Sequence, residues 1–154
     1  NRMIKEKYPS DEFFRLSMQK NLKQIRQILN WTSLDLGKRI GVTKQTISNL
    51  ETGNSNLTKL HYIAIRTVVD FEIETIESTE PDRAKRARLL VQFLFDPDQF
   101  KDMKHYNVDE QFNKIHQASQ LIANSISIGT ALTVVGALLG IASTKASMRW
   151  LNNK

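Results

Sequence analysis

Apolar residues recur at spacings of three and four from Phe14 onward. Phe14, Met18, Leu22, Ile25 and Leu29 predict one buried stripe on a helix that runs to Asn30. Pro9-Ser10-Asp11-Glu12 reads as the start of that helix: Ser10 can accept a hydrogen bond from a free backbone N–H, and two acids suit the positive end of the helix dipole. A second, short helix follows, capped by Thr32 or Ser33, with Leu36 and Ile40 inward. Gly41 ends it, as a residue that reaches positive φ without strain. Thr43 then caps a third helix from Lys44 to about Leu50, and Gly53 stops it before the polar loop Asn54-Ser55-Asn56. Leu57, Leu60, Ile63, Ala64 and Val68 mark a fourth helix by the same periodicity. No alternating pattern marks a strand.

Farther along, Phe71, Ile73 and Ile76 sit among Glu72, Glu74 and Glu77, which fits either a fifth short helix or an extended connection. Thr79-Glu80-Pro81-Asp82 resembles a capping box with proline in the first turn, and the helix it opens would bury Ala84, Ala87, Leu90, Val91 and Leu94. Asp96-Pro97 closes that helix and starts another short one through Phe100 and Met103. Asn107, with Glu110 three residues on, opens a last and longer helix. The expected fold is all-α: an N-terminal unit of four to five short helices over residues 10–78, then a C-terminal region over 79–154 made of an amphipathic helix and one long apolar helix.

"GVTKQTISNLETG", from Gly41 to Gly53, carries the densest chemistry. Two short helices joined by a glycine turn, the second crowded with polar groups, form a helix-turn-helix pattern. In such a motif the second helix enters the major groove. Val42, Ile47 and Leu50 would anchor it, leaving Lys44, Gln45, Thr46 and Asn49 outward. Lysine can donate to the acceptor edge of guanine, and glutamine or asparagine can pair with adenine through two hydrogen bonds. Thr32, Ser33 and Thr43 lie at helix N-termini, where hydroxyls and free N–H groups can hold phosphate oxygens, and Lys38 is placed to join them. Gly37 stands where the two helices come closest and a side chain would push them apart.

The stretch "LDLGKRIGVTKQTISNLETG", preceded by "NLKQIRQIL" and followed by "LHYIAIRTVV", resembles the phage-repressor (Cro/C1, XRE) family of helix-turn-helix domains over about residues 21–70. Leu36, Gly41, Val42, Ile47, Leu50, Glu51 and Gly53 fall where that family places equivalents. The resemblance implies an ion pair between Arg26 and Glu51, and double-stranded DNA as the partner. Two positions depart from the pattern. Gly37 replaces the usual alanine, and Ser33 replaces a glutamine that contacts phosphate, which weakens the transfer of that contact to this chain.

Charge agrees in its placement. The chain carries +6 overall, and up to Asp70 cations outnumber acids by roughly 12 to 6, whereas the remainder balances at about 10 each. A basic first half fits a polyanionic partner. The chain has no cysteine, which excludes disulfides and thiolate sites and fits a reducing cytosol. Its charged opening (Arg2, Lys5, Glu6, Lys7) is unlike a secretory signal. His61, His105 and His116 lack metal-ligand spacing. Neither a metal, a cofactor, a small-molecule substrate nor an enzymatic activity is expected.

From His116 to Thr144 no Lys, Arg, Asp or Glu occurs. Ser125, Gly129, Gly136, Gly140 and Ser143 recur as a stripe of small residues, which lets two helices approach closely. Two readings stay open. In one, residues 121–142 cross a membrane and anchor a cytoplasmic DNA-binding domain; the length of the uncharged run tips the balance this way. In the other, the helix is the core of a soluble dimer, wrapped by the segment from Ala84 to Phe95. Polar Asn124, Ser127, Thr130 and Thr133, and the positive tail beyond, count against the membrane. The expected function is a sequence-specific transcriptional regulator acting as a homodimer on a pseudo-palindromic operator. The alternative is a membrane-tethered adaptor or scaffold whose helix-turn-helix docks on a protein.

Overall fold

The computed structural model describes residues 11–95 and 108–139, and all regular structure among them is helical. The elements are α1 (Asp11–Lys20), α2 (Leu22–Ile28), α3 (Ser33–Ile40), α4 (Lys44–Thr52), α5 (Lys59–Ile76), α6 (Pro81–Phe95), α7 (Val108–Asn124) and α8 (Ile128–Leu139). The expected helix starts at Ser10 and Asn107, the short helix near Phe100 and Met103, and Gly140 and Ser143 of the small-residue stripe lie outside the described residues.

The first expected helix is two. The break falls at Asn21, whose side chain competes with the helix for hydrogen bonds. Its Nδ2 donates to the Ser17 carbonyl at 2.6 Å, and its Oδ1 accepts from Ser119 Oγ at 2.6 Å and lies 3.0 Å from His116 Nδ1. The buried amide thereby ties the α1–α2 junction to α7. At its far end α2 closes with Asn30 at φ 57°, while Trp31 N–H reaches back to the Arg26 carbonyl at 2.9 Å. This is a left-handed helix end with asparagine where glycine is usual.

A second difference concerns α5. Residues 71–76 neither form a separate helix nor an extended connection; they continue the fourth helix to Ile76. The buried face is only partly the expected one: Leu57 is buried and Val68 packs against the core, but the rest is displaced. Ile65, Val69, Ile73 and Ile76 are buried, whereas Leu60, Ile63 and Phe71 are 76%, 51% and 70% exposed. The helix carries two apolar stripes, and packing on α6 selects the one that continues farther along it.

The centre of the fold is α6. Ala84, Ala87, Leu89, Leu90, Phe93, Leu94 and Phe95 are all buried, and α1, α2, α5, α7 and α8 pack around it. The buried apolar side chains from Met18 to Val135 form one cluster, so both halves of the described chain share a core.

The long apolar C-terminal helix is not observed. It breaks at Ser125-Ile126-Ser127 into α7 and α8, and among the described residues no helix is long and apolar enough to cross a membrane. The break has polar fasteners. Arg86 donates from Nε to Asp82 Oδ1 at 2.8 Å and from a terminal nitrogen to the Ser125 carbonyl at 2.6 Å. Asp82 Oδ2 accepts Ile128 N–H at 3.0 Å, and Ser127 Oγ accepts Thr130 N–H at 3.1 Å. Of the described members of the small-residue stripe, Ser125 is buried in the turn, while Gly129, exposed in the first turn of α8, and half-buried Gly136 lie seven residues apart on one side of that helix. Apolar Ala131 and Val135 face inward, toward α6 and α7 of the same chain. Because Asp82 caps α8, Asp82→Ala is expected to lower stability by about 1 kcal/mol. Urea unfolding measures this, and an unchanged midpoint would contradict the capping role.

Candidate nucleic-acid interface

The helix pair α3–α4 is built by local rules. Thr32 Oγ1 accepts Asp35 N–H at 3.0 Å while the Asp35 carboxylate accepts Thr32 N–H at 2.8 Å, a reciprocal capping box. That N–H, and then the threonine hydroxyl, holds the Asp35 carboxyl below its ordinary range, since both favour the charged form. The cap is therefore strongest above the ordinary carboxylate range and is lost as pH falls through the lowered value. At the other end Gly41 has φ 79°, and Val42 N–H donates to the Gly37 carbonyl at 2.9 Å. Thr43 then caps α4, accepting Thr46 N–H at 3.1 Å. Gly53, at φ 80°, ends it.

Three independent anchors fix α4. Ile47 and Leu50 are completely buried. Glu51, on its last full turn, forms a two-pronged pair with Arg26 of α2: Arg26 Nε to Oε1, and a terminal nitrogen to Oε2 at 3.1 Å. The other terminal nitrogen of Arg26 donates to the Trp31 carbonyl at 3.0 Å, so one guanidinium joins the end of α2 to the end of α4. The third anchor is Gln19 of α1, which sequence reasoning missed. Its Nε2 donates to the carbonyls of Leu50 (3.0 Å) and Ser55 (2.6 Å), and its Oε1 accepts Leu57 N–H at 3.1 Å. No local signal distinguishes this glutamine, because its partners lie more than 30 residues away.

With its inner face fixed, α4 turns a polar face outward. Lys44 and Gln45 are exposed; Thr46 and Asn49 are half-buried beside them. Gln45 Nε2 donates to Asn49 Oδ1 at 3.1 Å, which aligns the two amides along one edge and leaves a carbonyl on one and an NH₂ on the other. Thr46 Oγ1 lies 3.0 Å from Thr43 Oγ1, so these hydroxyls are partly spent on each other.

The expected phosphate contacts divide by their surroundings. The first turn of α4 holds no acid, so its N-terminus and Thr43 present an uncompensated positive dipole next to Lys44. The N-terminus of α3 already holds the Asp35 carboxylate, which repels a second anion at Thr32. Ser33 is half-buried there and Lys38 is exposed. Lys23, Lys38 and Lys44 make no ion pair among the described residues, whereas Arg39 stacks on Trp31 with its guanidinium carbon 4.3 Å from the ring centroid. Among the described residues no cluster of His, Asp or Glu could hold a metal ion.

Two short helices in this arrangement, the second held from behind and polar in front, define a helix-turn-helix. Residues 22–71, about a third of the chain, match the family model described as Helix-turn-helix, the same segment that resembles the Cro/C1 (XRE) type. No curated protein and no solved structure matches the chain. The match starts at Leu22, so α1, with Gln19, lies in front of the matched segment.

Proposed function

We propose that the protein is a sequence-specific DNA-binding transcriptional regulator of the phage-repressor type, working as a dimer on a pseudo-palindromic operator. The observation that carries this reading is the outward face of α4, where Lys44, Gln45 and Asn49 stand free of acids while Ile47, Leu50, Glu51 and Gln19 hold the helix from behind. Lys44, Gln45 and Asn49 read base edges, with Thr46 a lesser contributor because its hydroxyl is turned to Thr43. Thr43, Lys38 and Ser33 hold phosphates. Thr32 is the weakest of the proposed phosphate contacts, for the electrostatic reason above. Two copies place their α4 helices in successive major grooves, about 34 Å apart.

Selection from a random duplex library with the full chain tests this, followed by binding at several salt concentrations. An enriched inverted repeat and a steep fall of affinity with salt are expected. Absence of duplex binding at low salt would reject the reading. Gln45→Ala should reduce preference for the selected sequence over a scrambled one by about tenfold, the low end of what one amide–base pair provides. Lys38→Ala should weaken binding to both sequences equally and flatten the salt dependence by about one phosphate. Equal effects from the two variants would contradict the assignment.

A further inference from the structure

The outer face of α5 is left uncovered although it is apolar. Leu60, Ile63 and Phe71 project there, with exposed Thr67 between them, on the side of the helix opposite buried Ile65, Val69 and Ile73. A phenylalanine 70% exposed and a leucine 76% exposed on one helix stripe is unusual for a surface with no partner. We propose that this stripe is where two copies of the chain meet, as an antiparallel pair of α5 helices. The choice of a second copy as occupant rests on the dimer reading above; the orientation rests on charge.

Lys59 begins the helix, and Asp70 and Glu74 lie near its end, on the same flank of the stripe. An antiparallel pair that sets Leu60 against Phe71 of the other copy brings Lys59 between Asp70 and Glu74 of that copy, about 3 Å of rise from each. A parallel pair would instead set this charged flank against the uncharged Ala64 and Val68 flank of the other copy, leaving Lys59 without an acid opposite. The intramolecular partners on this flank are weak: Lys59 reaches Asp11 at 3.9 Å with both side chains well exposed, and Arg66 reaches Asp70 at 3.7 Å. The strip from Leu60 to Phe71 is about 17 Å long and roughly 10 Å wide, small for a specific interface. The free protein should therefore dimerise weakly, and the operator should strengthen the pair.

The chain's lack of cysteine makes the test direct. In the proposed register the two copies of Thr67 lie about 4.5 Å apart along the axis, within disulfide range for closely packed helices, and the two copies of Leu60 about 16 Å apart. On mild oxidation the full-length Thr67→Cys variant should form a disulfide-linked dimer at least tenfold faster than Leu60→Cys alone. A mixture of Leu60→Cys and Phe71→Cys chains should cross-link with each other. Phe71→Ser, at an already exposed site, should leave the melting temperature unchanged but raise the dimer dissociation midpoint in sedimentation at least tenfold.

Self-linking of Leu60→Cys, or a dimer indifferent to Phe71→Ser, would overturn the proposal. So would slow reaction of Thr67→Cys with a soluble maleimide in a monomeric sample, because another segment of the same chain would then cover the stripe. A chain that binds its selected duplex as a monomer, with no cross-link, would overturn this interface and leave DNA recognition standing. Cross-linking without any duplex binding would do the reverse.

Discussion

Glu51→Ala is expected to lower the unfolding free energy by about 3 kcal/mol and to weaken operator binding as well. The carboxylate sits in the last turn of α4, where the helix dipole disfavours an acid, so its stability there depends on a cation opposite. Arg26 supplies that cation through two parallel hydrogen bonds, and both side chains retain only 14% exposure. Removing the acid leaves a nearly buried guanidinium with the Trp31 carbonyl as its remaining acceptor. Breaking a fully buried pair costs about 3–5 kcal/mol, and the residual exposure here moves the expectation to the lower end. Arg26→Met should cost a similar amount, by stranding the carboxylate instead. The double variant Arg26→Met/Glu51→Leu should recover more than half of either loss, because the cost lies in stranding one charge rather than in losing the attraction. Urea unfolding of the four proteins measures the cycle. Additive losses would show that the residues act separately. Binding should fall too, since the pair ties α4 to α2 and thereby fixes the angle at which Lys44 and Gln45 are presented to the proposed DNA partner.

What could be read before any coordinates depended on how local its cause was. The α3–turn–α4 unit was legible because its determinants lie within a few residues of what they control: Thr32 and Thr43 cap their own helices, and Gly41 and Gly53 close them with positive φ. The Arg26–Glu51 pair came from family resemblance, since no spacing rule links residues that far apart. Elements whose causes were distant were misread. The break at Asn21 is satisfied by Ser119 and His116 in α7, and the break after Asn124 by Asp82 and Arg86 in α6. An uncharged run without proline looked continuous because the acid that ends it sits elsewhere in the chain. On α5 the pattern was ambiguous in itself: Leu60, Ile63 and Val68 keep helical spacing as well as Ile65, Val69 and Ile73 do. Only the neighbouring α6 decides between them.

Gly37 offers the strictest test of the turn. In the related family this position usually carries alanine, and alanine would favour the helix by about 1 kcal/mol. Here a Cβ on Gly37 would stand 2.7 Å from the Val42 carbonyl oxygen and 3.3 Å from the carbonyl atoms of Thr43. These are backbone atoms, and they belong to the segment that delivers the cap of α4. They cannot swing aside as a side chain can. Relief requires α3 and α4 to separate, which strains the 2.9 Å bond from Val42 N–H to the Gly37 carbonyl and displaces Thr43 from its capping position. Overpacking costs about 1–3 kcal/mol, and an obstacle made of backbone puts this site in the upper half of that range, so Gly37→Ala should be destabilising by about 1–2 kcal/mol after its propensity gain. Gly37→Val, with more bulk and less gain, should lose more than about 3 kcal/mol. Operator affinity should fall in the same order, and by more than the unfolded fraction explains, because the Lys44 end of α4 is what moves. Thermal unfolding and duplex titration of the two variants decide it. An alanine variant as stable as the parent would mean that the helices separate freely at this point and that the close approach does not fix the angle of the reading helix.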